Sequence, residues 1–167
     1  MSIQEFYAAA QINEFARDFQ FRVRTLGPFT EQDLLYITTA TLPGKTINNQ
    51  QVPFMGLPFN VPGSVTYDGS EAWTVQFRCD EALNIRNKME NWVKEVFDDE
   101  TSTGKYGVPV EEASMDLLGK DLNTIRRYNF IGIYPTTVGP IAYDIQGTGA
   151  PLTFDATFAY QFWRLKI

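Results

Sequence analysis

Apolar and polar residues alternate along much of the chain, and that alternation predicts a protein built mainly of sheet. Phe19, Phe21 and Val23 fall on one face of a segment starting near Arg17, with Gln20, Arg22 and Arg24 on the other. Gly27-Pro28 ends it. A β-branched run over residues 34–41 predicts a second strand, closed by Leu42-Pro43-Gly44. Trp73, Val75, Phe77 and Cys79 share one face of a third, with Thr74, Gln76 and Arg78 opposite. Residues 113–118 suit a short strand, and the alternation through Tyr128, Phe130 and Gly132 predicts a longer one ending at Pro135. The last strand reads as one piece, with Leu152, Phe154, Ala156, Phe158, Tyr160 and Phe162 on a single face.

Two segments change period. Residues 6–15 carry a weak helical pattern and suit an arm of about residues 1–15. After Cys79 the period becomes helical: Ile85, Met89, Trp92, Val93, Val96 and Phe97 recur at spacings of three and four. This predicts a helix over about residues 81–97, capped by Asp80, with Glu81 in its first turn at the positive end of the dipole. Ile85, Met89, Trp92 and Val96 are its core anchors. The expected fold is α+β but mainly β: an antiparallel sandwich or barrel with one inserted helix, in a single domain over residues 1–167.

Residues 45–63 fit neither pattern. Pro53, Pro58 and Pro62 with Gly56 and Gly63 argue against a central strand, because each proline removes a ladder donor. Yet Val52, Phe54, Met55, Leu57, Phe59 and Val61 are too many apolar residues for a solvated loop. An extended, proline-rich apolar segment needs a cover, supplied either by its own sheet or by another subunit.

Composition sharpens the reading. Thirteen Phe, eight Tyr and three Trp suit pleated, half-buried surfaces. A net charge of −6 opposes any role that grips nucleic acid through Lys and Arg, while fitting a surface that nucleic acid slides past. The single cysteine, Cys79, allows no internal disulfide and suits a small buried hydrophobe. No signal peptide and no membrane span are read, so synthesis in a cytoplasm is expected.

The absence of histidine removes the commonest general base and metal ligand, and with one cysteine it removes a zinc site. No phosphate-binding glycine loop occurs, and Asp98-Asp99-Glu100 does not match a calcium loop. Paired carboxylates are the one catalytic option left, and Glu81, Glu111, Glu112 and Asp155 are equally explained as a solvated face. No catalytic residue, metal or cofactor is expected.

An ordered set of segments resembles the tail tube proteins of contractile-tailed phages. It comprises Ala40-Thr41-Leu42-Pro43-Gly44, Val52-Pro53-Phe54-Met55-Gly56, Phe59-Asn60-Val61-Pro62-Gly63, Trp73-Thr74-Val75, Asp80-Glu81-Ala82 and Trp92. Gly132-Ile133-Tyr134-Pro135-Thr136-Thr137-Val138-Gly139 and Phe154-Asp155-Ala156-Thr157-Phe158 complete it, so that the set covers about two thirds of the chain. The C-terminal Arg164-Leu165-Lys166-Ile167 departs from the family's acidic ending.

The resemblance implies a structural, non-enzymatic subunit of the virion tail, assembled in the bacterial host cytoplasm. Homo-hexamer rings would stack into a tube inside a sheath protein, with tape-measure, baseplate and tail-terminator proteins as further partners. DNA would pass through the lumen without specific binding, and no membrane is involved. A tube subunit of a type VI secretion or extracellular contractile injection system is the alternative.

Three expectations follow. Val52, Pro53, Phe54, Met55, Leu57 and Phe59 carry the contact between rings. Six copies at −6 give −36 per ring, so the lumen is acidic, with Arg22, Arg24 and Arg78 paired to carboxylates or turned from it. The helix packs on the outside of the sheet wall, away from the bore.

Overall fold

The computed structural model describes residues 2–166; Met1 and Ile167, the ends of the predicted arm and of the final segment, lie outside the described residues. The core is a sandwich of two four-stranded antiparallel sheets. In chain order the elements begin α1 (Ile3–Ile12), β1 (Phe21–Leu26), α2 (Glu31–Leu34), β2 (Ile37–Ala40), β3 (Lys45–Phe54), β4 (Leu57–Tyr67) and β5 (Trp73–Arg78). They continue with α3 (Asn84–Val96), β6 (Phe97–Asp98), β7 (Thr103–Gly104), β8 (Glu112–Leu118), β9 (Thr124–Ile131), β10 (Tyr134–Val138), β11 (Thr153–Ala159) and β12 (Phe162–Leu165). One sheet runs β1-β8-β9-β12 and the other β10-β11-β5-β2. The mainly-β, antiparallel expectation holds.

The inner faces meet through aromatic rings. Trp73 of β5 stacks on Phe130 of β9 at 4.6 Å between centroids, while Phe77 stacks on its β11 neighbour Phe154 within one sheet at 5.4 Å. The expected inward set Trp73, Val75 and Phe77 is buried, and Cys79 sits half-buried at its margin. Helix α3 packs beside β10, at the edge of its sheet, and adds Ile85, Met89 and Trp92 to the core, while Val96 is only half-buried. Trp92 lies against Phe29 and Phe158 and over Gly27, where an added Cβ would stand 2.5 Å from the indole.

Several boundaries differ from the expectation. Residues 31–34 form the short helix α2, held by a reciprocal Thr30–Asp33 capping box, so the second strand starts at Ile37. Phe19 precedes β1 and is exposed, and a bulge between Val23 and Thr25 brings Leu26 into the core instead. Helix α3 starts at Asn84, after Leu83 in a left-handed conformation. Asp80 still caps it, its carboxylate accepting the Asn84 and Ile85 N–H groups, but Glu81 lies in the preceding turn. Phe97 is outside the helix and exposed.

The two long alternations each divide in two. Gly132, at φ 67°, ends β9 in one sheet, and the chain re-enters the other sheet as β10. Likewise β11 stops at Ala159, and after Gln161 the chain returns as β12 beside β9. Residues 45–63, expected as an extended loop, are most of an antiparallel hairpin, β3-β4, whose ladder has one bulge.

Candidate assembly surfaces

The β3-β4 hairpin holds its ladder although it contains three prolines. Pro53 and Pro58 stand opposite each other, where both missing N–H groups face outward from a two-stranded ribbon, so no ladder bond is lost. Met55 and Gly56 form its two-residue turn, both at positive φ (48° and 81°), as a type I′ turn requires. None of the described residues 45–66 is buried. Phe54 is 61% exposed and Met55 92%, with Val52, Leu57 and Phe59 each half or more exposed. The apolar residues therefore do not fold back onto their own sheet. A two-stranded ribbon alone is marginal in water, and here it is both apolar and uncovered. The stretch from Thr46 to Thr66 also contains no Asp, Glu, Lys or Arg.

The hairpin base docks on β12. Tyr67 lies 6.0 Å from Trp163 and 6.5 Å from Phe162, and the Lys45 ammonium sits 5.2 Å over the Trp163 ring. Arg164 donates to the Tyr67 hydroxyl at 2.7 Å.

Helix α1 is a second uncovered surface. Ser2 and Glu5 form its capping box, yet none of its described residues is buried. Ile3, Phe6, Tyr7 and Ile12 are exposed, with Phe6 stacked only on the equally exposed Phe15. A third lies beside α3, a cleft of about 620 Å3 between Trp92, Val96, Tyr134 and residues 105–111. Tyr106, Val108 and Val110 stand exposed along it.

The outer faces of the two sheets differ in chemistry. On β10-β11-β5-β2 they show Thr38, Thr74, Gln76, Thr137 and Thr157, with one Asp155 and one Arg78. On β1-β8-β9-β12 they show Arg22, Arg24 and Arg127 around the buried Asp116, with Arg164 on the edge strand β12. Arg127 grips Asp116 with two bonds, 2.6 and 2.9 Å, Thr124 donates at 3.0 Å, and Arg24 stands 3.9 Å away. Burial pushes the Asp116 carboxyl up, but these donors outweigh it and hold the group below the usual carboxylate range. Arg22 pairs with Glu31 at 3.7 Å. Arg22 and Arg24 thus meet carboxylates as expected, while Arg78 lies on the threonine-rich face.

The candidate carboxylates are dispersed. Glu111 lines the α3 cleft, Glu112 begins β8, Asp155 lies on β11, and Glu81 precedes α3. Among the described residues no three His, Cys, Asp or Glu side chains are grouped to hold a metal ion. No described helix is long and apolar enough to cross a membrane.

A model of the phage tail tube protein family matches residues 5–166. The chain is 28% identical to tail tube protein gp19 of Enterobacteria phage T4 over 98% of its own length and 99% of the relative's. The same figures hold for tail tube protein gp19 of Enterobacteria phage T6. Its fold is similar to a chain of the PVC sheath-tube complex of an extracellular contractile injection system in the extended state. That match has a TM-score of 0.61 and 11% identity, covering 99% of this chain and 98% of the other. It is also similar to a chain of the tube-terminating cap of the anti-feeding prophage, with a TM-score of 0.66 and 14% identity over 92% of each.

Proposed function

We propose a function from one premise: the chain belongs to the phage tail tube protein family, and it is a structural subunit of the tail tube of a contractile phage virion. Six copies close into a ring, and rings stack head to tail into a hollow conduit. A heterologous contact of this kind propagates without closing, as a tube requires. The sheath surrounds the conduit, and the tape-measure protein occupies it before DNA passes. Baseplate and terminator proteins cap its ends, and the subunit performs no catalysis.

The observation that carries this reading is the uncovered hairpin. A chain of charge −6 repels its copies, so a contact between rings is best made by a segment without charge. Residues 46–66 meet that condition and present Phe54, Met55, Leu57 and Phe59 to the neighbour. Exposed apolar area on this scale marks an interaction site rather than a soluble surface.

The bore is assigned to the outer face of β10-β11-β5-β2. Hydroxyl and amide groups give DNA nothing to exchange counterions with, and the strands of this face carry one cation, Arg78, and one anion, Asp155. The wall formed by this face is then near neutral, in place of the acidic lumen expected from the net charge. The arginine-bearing sheet faces outward, and α3, beside the β10 edge, lies away from the bore. The test is the double substitution Phe54→Asp with Met55→Asp. The subunit is expected to keep its melting temperature but to form no tubes in electron micrographs. Long tubes from this variant would overturn the stacking assignment, and a collapse in subunit stability would return the residues to the core.

A further inference from the structure

The hairpin is not one apolar ribbon but two half-ribbons whose apolar sides face opposite ways. Paired residues of an antiparallel ladder share a face. At the base, Lys45 with Tyr67 and Ile47 with Val65 make one face, the side that docks on Trp163 and Phe162. Thr46 with Thr66 makes the other, where Asn48 donates to the Ser64 and Thr66 hydroxyls. Nearer the tip the chemistry is exchanged. The face continuous with Tyr67 now carries Asn49 with Pro62, Gln51 with Asn60, and Pro53 with Pro58. The face continuous with Asn48 carries Gln50 with Val61, Val52 with Phe59, and Phe54 with Leu57.

A bulge makes the exchange. Between the Ile47–Val65 and Asn49–Pro62 pairs, β3 has one residue, Asn48, and β4 has two, Gly63 and Ser64. By strict alternation β4 would place Leu57, Phe59, Val61, Val65 and Tyr67 on a single face. The extra residue splits that set after Val61. The bulge closes tightly: a Cβ on Gly63 would stand 2.8 Å from both the Asn48 carbonyl oxygen and Gln50 Cγ, so only glycine fits.

We propose that this bulge directs the two faces to two partners, the base to the chain's own β12 and the apolar tip face to a second copy in the next ring. Val52, Phe54, Leu57, Phe59 and Val61 touch that copy; Gln51, Pro58, Asn60 and, unlike the expectation from sequence, Pro53 stay in water. The occupant is a copy of this chain because the face is uncharged as well as apolar. That suits a like-charged neighbour and offers an acidic or basic partner nothing to pair with. This inference rests on the stacking role proposed above.

The test separates the two faces and then reverses them. Phe59→Asp is expected to abolish tubes, and Asn60→Asp, one residue away on the opposite face, to leave them at wild-type yield. Inserting one threonine after Asn48 gives both strands two residues at the bulge and turns the apolar tip onto the Tyr67 side. That variant is expected to melt with the wild type yet form no tubes. Tubes from the insertion variant, or loss of tubes in Asn60→Asp, would overturn the face assignment. If Phe54→Asp with Met55→Asp blocks tubes while the insertion does not, the stacking role stands and the two-faced inference fails. If neither blocks them, the stacking role itself fails.

Discussion

The sandwich and the hairpin are made from the same kinds of residue in the same alternating order, and they end in opposite environments. In β5 and β11, Trp73, Phe77, Phe154 and Phe158 are sealed from solvent by the facing sheet and α3. In β3 and β4, Val52, Phe54, Leu57 and Phe59 meet water on a ribbon that no described residue covers. Alternation therefore states that a strand has an apolar face, but not whose surface will cover it. In the sandwich the cover lies in the same chain, so mutation is paid in stability. In the hairpin the proposed cover is another copy, so mutation is expected to cost assembly.

The largest stability effect is expected at Trp92, where α3 meets the sandwich. Its ring is buried against Phe29 and Phe158, and Gly27 leaves the space it fills. Trp92→Ala should cost about 3–5 kcal/mol in denaturant unfolding of the isolated subunit. Phe54→Asp should change the same measurement by roughly 0.5 kcal/mol or less, as exposed substitutions do. Similar losses from both would erase the contrast between the two regions.

Asp116 is next. It is the buried anchor of the arginine-bearing sheet, and its partner Arg127 still reaches solvent. Asp116→Asn should cost about 2–3 kcal/mol at pH 7, somewhat less than breaking a pair buried on both sides. The sign of the pH dependence follows from the lowered carboxyl. The folded state binds its proton less readily than the unfolded chain, whose aspartates titrate at about 3.9. The contribution is whole at neutral pH and fades as pH falls below about 4 towards the folded value. Wild type and Asp116→Asn should therefore converge in stability across that acid range. A gap that stays constant down to pH 2 would show that packing, rather than charge, holds the site.

Much of the sandwich could be read before any coordinates, because Trp73, Val75 and Phe77 sit in an unbroken alternation with polar neighbours. What could not be read were the places where the chain changes partner without changing pattern. Tyr128, Phe130, Gly132 and Tyr134 keep the period of two straight through the crossing between sheets. Only the positive φ at Gly132 marks the crossing. Tyr160 hides the second crossing in the same way. Local irregularities were equally silent: the β1 bulge brings Leu26 inward out of phase with Phe21 and Val23. The uncovered segment was recognisable from its apolar content, but its hairpin form was not. Prolines forbid a central strand, whereas a ribbon with two free edges accepts them wherever the missing N–H faces outward. The bulge at Gly63 and Ser64 had no signal beyond β3 changing phase between Ile47 and Val52 while β4 did not.

The smallest expected change in stability falls at the hairpin's turn, and it separates folding from assembly most sharply. Met55 is the first central residue of a turn that favours Asn or Gly, and it holds φ 48° with 92% of its surface exposed. A long apolar side chain there opposes both the backbone preference and the solvent. Strain of this kind persists where something other than the fold requires the residue. Met55→Asn keeps the turn, relieves the backbone and removes the apolar tip. The isolated subunit should be unchanged or gain a few tenths of a kcal/mol, the scale of a turn residue suited to its conformation. The same protein should need a markedly higher concentration to form tubes, measured by sedimentation across a dilution series. A subunit that both loses stability and keeps its critical concentration would mean that Met55 serves the hairpin rather than the neighbour, reversing the assignment.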